Sequence, residues 1–209
     1  MVKSIYLYNS FNIKARHKRS IILIGNFDGL HLGHQKLFNL ANKYKKKYSL
    51  SVGVLTFEPM PKMYFNKDIK NFRISNKKQK MELLKKFKVD FVITKKFDKK
   101  FSKIKSINFI KNILKKKLKS KFVFVSNNFR FGNKREGDVK QLIKCETKYN
   151  YKIVKPKPLI KNSKIVSSSL IRNYLQKGKL NESNKLLNRK WSIEGKVKKG
   201  KQLGKKNWF

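Results

Sequence analysis

Short apolar runs alternate with helically spaced apolar positions along almost the whole chain. Ile5 to Tyr8 predicts a first strand and Ile21 to Ile24 a second, apolar at every position as in a parallel strand buried on both faces. Leu37, Leu40, Ala41 and Tyr44 then recur at helical spacing. Ser51 to Thr56 predicts another strand, closed by Phe57-Glu58-Pro59-Met60-Pro61. Its two prolines predict a rigid extended loop in place of a helix, and 62–74 reads as irregular. Ser75 or Asn76 caps a helix running to Phe87 on Met81, Leu83 and Leu84. Asp90 to Thr94 is a strand, and Ile107, Ile110, Ile113, Leu114 and Leu118 mark a helix. Phe122 to Val125 is the next strand, before a polar and aromatic loop at 126–132. Asp138 opens a helix with Val139, Leu142 and Ile143, and Tyr151 to Val154 is a strand. Ser167-Ser168-Ser169 starts a helix through Leu175 that Gly178 ends, and Glu182 to Leu187 is a short last helix. The βαβαβαβα order predicts an α/β fold, a mostly parallel sheet with helices on both faces. Trp191 to Val197 turns strand-like again.

Composition narrows this only a little. A length of 209 residues fits one generous domain, or one plus a fragment of a second. The single Cys145 excludes an intrachain disulfide framework and fits a reducing cytosol. No apolar stretch reaches the roughly 20 residues of a membrane helix, and no apolar segment at the N-terminus resembles a secretory signal. A cytoplasmic protein with no membrane partner is expected. The formal net charge of +44 would attract any polyanion. Arginine, the residue of bidentate base contacts, occurs only seven times, while lysine recurs throughout, at 45–47, 77–80, 115–117 and 198–201. That pattern reads as compositional bias with incidental stickiness, so no specific nucleic-acid partner is expected.

The candidate chemistry lies in ten residues, Gly25 to His34, reading G-N-F-D-G-L-H-L-G-H. They fall at a strand-to-helix turn, where open α/β sheets place ligands. Glycines let backbone approach a ligand, and a starting helix offers free N–H groups to an anion. His31 and His34, one helical turn apart, can face the same phosphate, whereas a metal reading lacks a third ligand, since His17 lies in a basic loop. Asp28 reads as a turn-former, with a ribose or Mg²⁺ contact as the alternative. A second constellation is Ser167, Ser168 and Ser169 with Arg172 one turn on, a phosphate-binding set or an ordinary serine cap beside a surface arginine. The third is Asn128-Phe129-Arg130-Phe131, whose two rings could stack on a planar ligand or merely cover core.

Together these motifs resemble those of the prokaryotic bifunctional FAD synthetases (riboflavin kinase/FMN adenylyltransferase), within the HxGH nucleotidylyltransferase superfamily. G-N-F-D-G-L-H-L-G-H is similar to that family's phosphate motif, and Thr56 to Pro61 to its T-F-E-P-H-P, with Met60 in place of the histidine. Phe129-Arg130-Phe131-Gly132 resembles its F-R-F-G, and Val166 to Arg172 its serine-rich motif, with Ser169 for threonine and Leu170 for arginine. Ser126 stands where glycine is common. Trp191-Ser192-Ile193-Glu194-Gly195 is similar to the strand opening the kinase module, whose further motifs do not follow. The resemblance implies a Rossmann-like module over 1–187 that converts ATP and FMN to FAD and diphosphate with Mg²⁺. Residues 188–209 would be a linker and orphan strand, poorly packed and without kinase activity. It implies that His31, His34, Asn128 and Arg172 act on the phosphates. Gly25, Asn26, Phe27, Asp28, Gly33, Ser167, Ser168 and Ser169 would line the ATP site, and Pro59, Pro61, Phe129, Arg130 and Phe131 the FMN site. Metal ligands stay unassigned. The alternatives are a nucleotidylyltransferase for another phosphorylated acceptor and a non-catalytic basic RNA-binding protein.

Overall fold

The computed structural model describes residues 4–69 and 73–195. Its centre is a six-stranded, all-parallel sheet in the order β1-β4-β3-β2-β5-β8. These strands are β1 (Tyr6–Tyr8), β2 (Ile21–Ile24), β3 (Val52–Glu58), β4 (Phe91–Lys96), β5 (Phe122–Phe124) and β8 (Lys152–Val154). The expected α/β fold is therefore the observed one. Alternate strand residues feed two cores, as a sheet covered on both faces requires. Ile21, Leu23, Val52 and Val54 pack beneath α1 (Leu32–Tyr48) and α3 (Lys77–Lys86). Ile22, Ile24, Leu55 and Val123 pack on the other side, against Phe109, Ile110, Ile113 and Leu114.

That last helix starts as α5 (Ser106–Asn108) and runs on through Phe109–Lys117 with wide turns, Leu118 N–H donating to the Ile113 carbonyl five residues back. Gly53 faces Phe91 across β3 and β4, and a Cβ there would lie 2.1 Å from the ring, so only glycine leaves the slot it fills. His17 is buried, accepts or donates a 2.7 Å bond with the Tyr8 hydroxyl, and stacks on Phe91 at the start of β4. It sits at the amino-terminal edge of the sheet, away from the other two histidines.

Several expectations need correction. Pro61 does not prevent a helix: it opens α2 (Pro61–Phe65) at the first helical position, where its missing N–H costs nothing. Ile107 and Ile143 share their helices' apolar periodicity yet are 40% exposed. Two small antiparallel pairs were not foreseen, β6 (Arg130–Phe131) with β7 (Gly137–Asp138) and β9 (Ile160–Lys161) with β10 (Lys164–Ile165). The short helices α4 (Lys99–Ser102), α6 (Val139–Lys144) and α7 (Glu146–Tyr149) complete the middle of the chain. Near the end, α8 (Ser168–Gln176) and α9 (Leu180–Leu187) share a third small core with Ile74 and Val166. Residues 191–195 are not a strand; Arg189, Trp191 and Ser192 hydrogen-bond back onto the domain, while 192–195 are exposed. The rest of the anticipated orphan strand, 196–209, lies outside the described residues.

Candidate active site

The sheet order reverses at β2, whose neighbours β3 and β5 lead to opposite edges. The carboxyl ends of β2 and β5 flank that switch point, the usual ligand crevice of an open α/β sheet. From β2 the chain enters the turn 25–31 and then α1, with His31 as the helix N-cap. Phe27 and Leu30 have φ of 48° and 37°, and Gly29 has φ of 77°. Two non-glycine residues in the left-handed region cost of order 1–3 kcal/mol each unless the surroundings over-determine them.

The surroundings do so. Phe27 is buried against Phe38 and the edge of His34, with centroids 5.0 and 5.2 Å away. Asp28, 5% exposed, accepts from Ile74 N–H at 3.1 Å, from Ser75 N–H at 3.3 Å and from Arg172 Nη2 at 2.8 Å. Its own carbonyl accepts from Ser168 Oγ at 2.9 Å. One carboxylate thus ties the turn to the segment before α3 and to the first turns of α8. Arg172 reaches Asp28 from 144 residues away, and its charge is felt at His31. Gly33 permits this closeness, because a Cβ there would lie 3.1 Å from the His31 ring and 3.3 Å from the Val166 carbonyl.

His31 and His34 stack with centroids 3.7 Å apart. Burial first, and the Arg172 charge second, push the His31 imidazole down to about 4. Burial and then His31 hold His34 well below the ordinary histidine value. Both rings are neutral at pH 7, so they offer N–H donors and not positive charge. Among the described residues, Asn26 Oδ1, His31 Nδ1 and His34 Nδ1 are buried polar atoms without a partner. Three such atoms on one turn, each costly to leave unsatisfied, define a place prepared for a polar ligand.

The three serines divide their tasks. Ser167 caps α8, accepting from Leu170 N–H at 3.2 Å; Ser168 holds the Asp28 carbonyl; Ser169 is exposed. Asn128 stands exposed in the loop after β5, its Oδ1 accepting from Ser126 Oγ at 2.9 Å. The same loop leads into an aromatic cavity of about 580 Å³, walled by Phe57, Phe97, Phe101, Phe129 and Phe131 with Pro61 at its edge. Arg130, Lys62, Lys134 and Arg135 also line it. Phe129 and Phe131 stack on each other, centroids 5.6 Å apart, and Phe131 is largely buried against Phe109. They form a wall instead of two free plates. Pro59 lies outside this lining and carries the cis bond after Glu58.

Sequence reasoning missed three side chains that support the turn. Lys80 is 8% exposed, and its Nζ donates at 3.3 Å to the Asn26 carbonyl and to Thr56 Oγ1. Burial lowers its pKa, with Glu58 and Asp28 opposing the shift. From beyond α9, Arg189 reaches the turn at Gly29, and Trp191 reaches Ile74 beside it. One lysine among 48 carries no signal of its own, and nothing local to 189–191 points to residue 29.

With this geometry in place, the comparisons with known proteins are informative. Residues 13–170 match the FAD synthetase family. A bifunctional riboflavin kinase/FMN adenylyltransferase of Buchnera aphidicola subsp. Acyrthosiphon pisum is 39% identical over 93% of this chain and 62% of its own length. The Escherichia coli K12 protein of the same description is 33% identical over 92% of this chain and 61% of its own length. A Listeria monocytogenes FAD synthetase is 27% identical over 90% of this chain and 76% of its own. The chain therefore spans about six tenths of the length of the bifunctional relatives. A solved structure described as a macrolide-efflux protein from Streptococcus pneumoniae superposes with a TM-score of 0.78 at 24% identity, covering 90% of this chain and 72% of that one. That likeness speaks to the fold alone. With the family match running across most of the described domain, from the loop before β2 into α8, this chain belongs to the FAD synthetase family.

Proposed function

We propose that this chain transfers the adenylyl group of ATP to FMN, releasing FAD and diphosphate. The observation that carries the reading is the turn after β2, where three buried polar atoms lack partners beside the opening amides of α1 and the Arg172 guanidinium. An ATP triphosphate supplies acceptor oxygens for the imidazoles and negative charge for the helix start and the arginine, while Asn26 Oδ1, itself an acceptor, needs a donor such as a nucleotide hydroxyl or amino group. Gly25, Asn26, Phe27 and Gly33 give the backbone its close approach, while Asp28, Ser167 and Ser168 hold the turn and α8 in register with it. Ser169, exposed at the same helix start, is free to meet a phosphate oxygen.

An oxygen of the FMN phosphate attacks the α-phosphorus in line with the departing diphosphate. One P–O bond forms as one breaks, with no covalent enzyme intermediate. A phosphate monoester has a second pKa of about 6, so the nucleophile is already ionised at pH 7 and needs no base. Neutral histidines suit that chemistry, because their task is to donate to charge that grows on the α-phosphate. Losing one such donor costs about 10²–10³ in rate. Asn128, exposed in the loop after β5 at the other lip of the switch point, orients the reacting phosphates in this reading. The aromatic cavity beyond it fits an isoalloxazine ring, with Arg130 and Pro61 at its edge.

Mg²⁺ enters this scheme with ATP as part of the substrate. The Asp28 carboxylate is already committed to Ile74, Ser75 and Arg172.

The test is purified chain with ATP, Mg²⁺ and FMN, following FAD and diphosphate by chromatography. FAD should form, and His34→Ala should slow it by about 10²-fold or more. No FAD, with a different dinucleotide made from another phosphorylated acceptor, would reject FMN as the substrate. An undiminished rate in His34→Ala would reject the site.

A further inference from the structure

After α9 the chain turns back across the outside of the nucleotide turn. Arg189 Nη1 donates to the Gly29 carbonyl at 2.8 Å and to the Leu187 carbonyl at 3.3 Å, and Nη2 donates to Ser75 Oγ at 3.3 Å. Two residues on, Trp191 Nε1 donates to the Ile74 carbonyl at 2.9 Å, while its main-chain N–H donates to Asn184 Oδ1 at 2.7 Å. The Ser192 carbonyl accepts from Gln79 Nε2 at 3.1 Å, which fastens the segment to α3.

The partners are not arbitrary points on the surface. Ile74 and Ser75 are the two residues whose N–H groups grip the Asp28 carboxylate, and Gly29 is the next residue after Asp28. Ile74 is therefore held at both ends, its N–H by Asp28 and its carbonyl by Trp191. Arg189 bridges the same two segments, turn and 74–75, that Asp28 bridges from within. The planar guanidinium suits the task, since it sends two nitrogens to a carbonyl and a hydroxyl on different segments. The peptide it holds carries the strained run of positive φ at Phe27, Gly29 and Leu30. Such a run persists only while the surroundings fix it.

We propose that Arg189 and Trp191 are positioning residues of the ATP site: by clamping residues 29 and 74–75 from outside, they hold His31, His34 and the first amides of α1 in the arrangement that binds the triphosphate. The idea rests on the adenylyl-transfer reading above. Neither side chain needs to touch substrate. Without the clamp the turn spends part of its time in other conformations, and apparent ATP affinity falls by the fraction of time lost. Because the effect is on ground-state binding, KM for ATP rises while kcat holds.

The test compares the wild-type chain, Arg189→Met, Arg189→Lys and Trp191→Phe in steady-state kinetics and in amide hydrogen exchange without nucleotide. Arg189→Met should raise KM for ATP about five- to tenfold, equivalent to about 1–1.4 kcal/mol. Its kcat should stay within about twofold, KM for FMN should not move, and Arg189→Lys should recover part of the loss. Exchange should quicken over 25–34 and 73–76 and not across the sheet. Trp191→Phe keeps a ring in place and loses one hydrogen bond, so it should raise KM for ATP about threefold. It carries the test if Arg189→Met does not fold. Trp191 fluorescence, read in a Trp208→Phe background, should shift on adding ATP. Unchanged KM for ATP and unchanged exchange in these variants would overturn the proposal, as would equal rises in both KM values with exchange quickened throughout. If wild type makes no FAD, the adenylyl-transfer reading falls, and exchange over 25–34 and 73–76 still decides whether the clamp exists.

Discussion

Replacing Asp28 by Asn tests whether the carboxylate is a bracket or a ligand-binding group. The side chain is 5% exposed and Arg172 17%, so the pair is shielded from solvent. Asn keeps one oxygen for Ile74 or Ser75 but turns an NH₂ toward a surrounding that consists of donors. Arg172 loses its counter-charge, and at least one buried N–H loses its acceptor. Breaking a buried ion pair from one side costs about 3–5 kcal/mol in all, the groups left unpaired included. Retained oxygen and relaxation at the edge of Arg172 argue for the lower part of that range, about 3–4 kcal/mol. For a domain of this size each kcal/mol lowers Tm by about 2–4 °C, so a fall of about 6–16 °C is expected, with urea denaturation giving the free energy directly. A variant within about 0.5 kcal/mol of wild type, yet inactive, would refute the bracket and return Asp28 to direct contact with ribose or Mg²⁺.

Three further outcomes follow from single features. His31 is neutral and buried in the fold at a pKa of about 4 and ordinary when unfolded, so its contribution to stability is complete above pH 6.5 and is lost as pH falls toward 4. Urea denaturation at pH 7.5 and pH 5 should differ by about 2 kcal/mol from this residue, and a slope that survives His31→Gln undiminished would contradict the assignment. Gly53→Ala places a methyl on top of the fully buried Phe91 ring and should cost about 1–3 kcal/mol in a thermal melt, an unchanged Tm counting against the close approach. Lys80→Met removes a desolvated ammonium and keeps its stem, so the melt should stay near wild type while kcat/KM for ATP drops about five- to tenfold through the loosened Asn26 carbonyl; unchanged kinetics would make Lys80 purely structural.

What the sequence disclosed and what it hid differ by a physical rule. The apolar run Ile21 to Ile24, the spacing Leu37 to Tyr44 and the capping serine at 167 act within a few residues of themselves, and each element they predict is present. The turn itself was legible for the same reason, because its glycines and histidines are local to the peptide they shape. Pro61 misled because a proline excludes a helix interior but suits a helix start, and only the following residues decide which applies. The cavity was half legible: Phe129 and Phe131 stand in one loop, but Phe57, Phe97 and Phe101 meet them only through the sheet. Most hidden were the cations. In a chain of 48 lysines and seven arginines, a positive side chain is ordinarily a solvated one, and charge by itself selects nothing. Lys80 and Arg189 differ in being withdrawn from water against a single turn, and their partners there lie 54 and 160 residues away; Arg172, 144 residues from Asp28, was legible only because three serines stand one turn before it. Desolvation is what converts a common residue into a specific one, since a cation withdrawn from water must find its acceptors at fixed places. The peptide that Lys80 and Arg189 hold leads into His31 and His34, so the precision of the neutral imidazoles depends on charges that never need to reach the substrate.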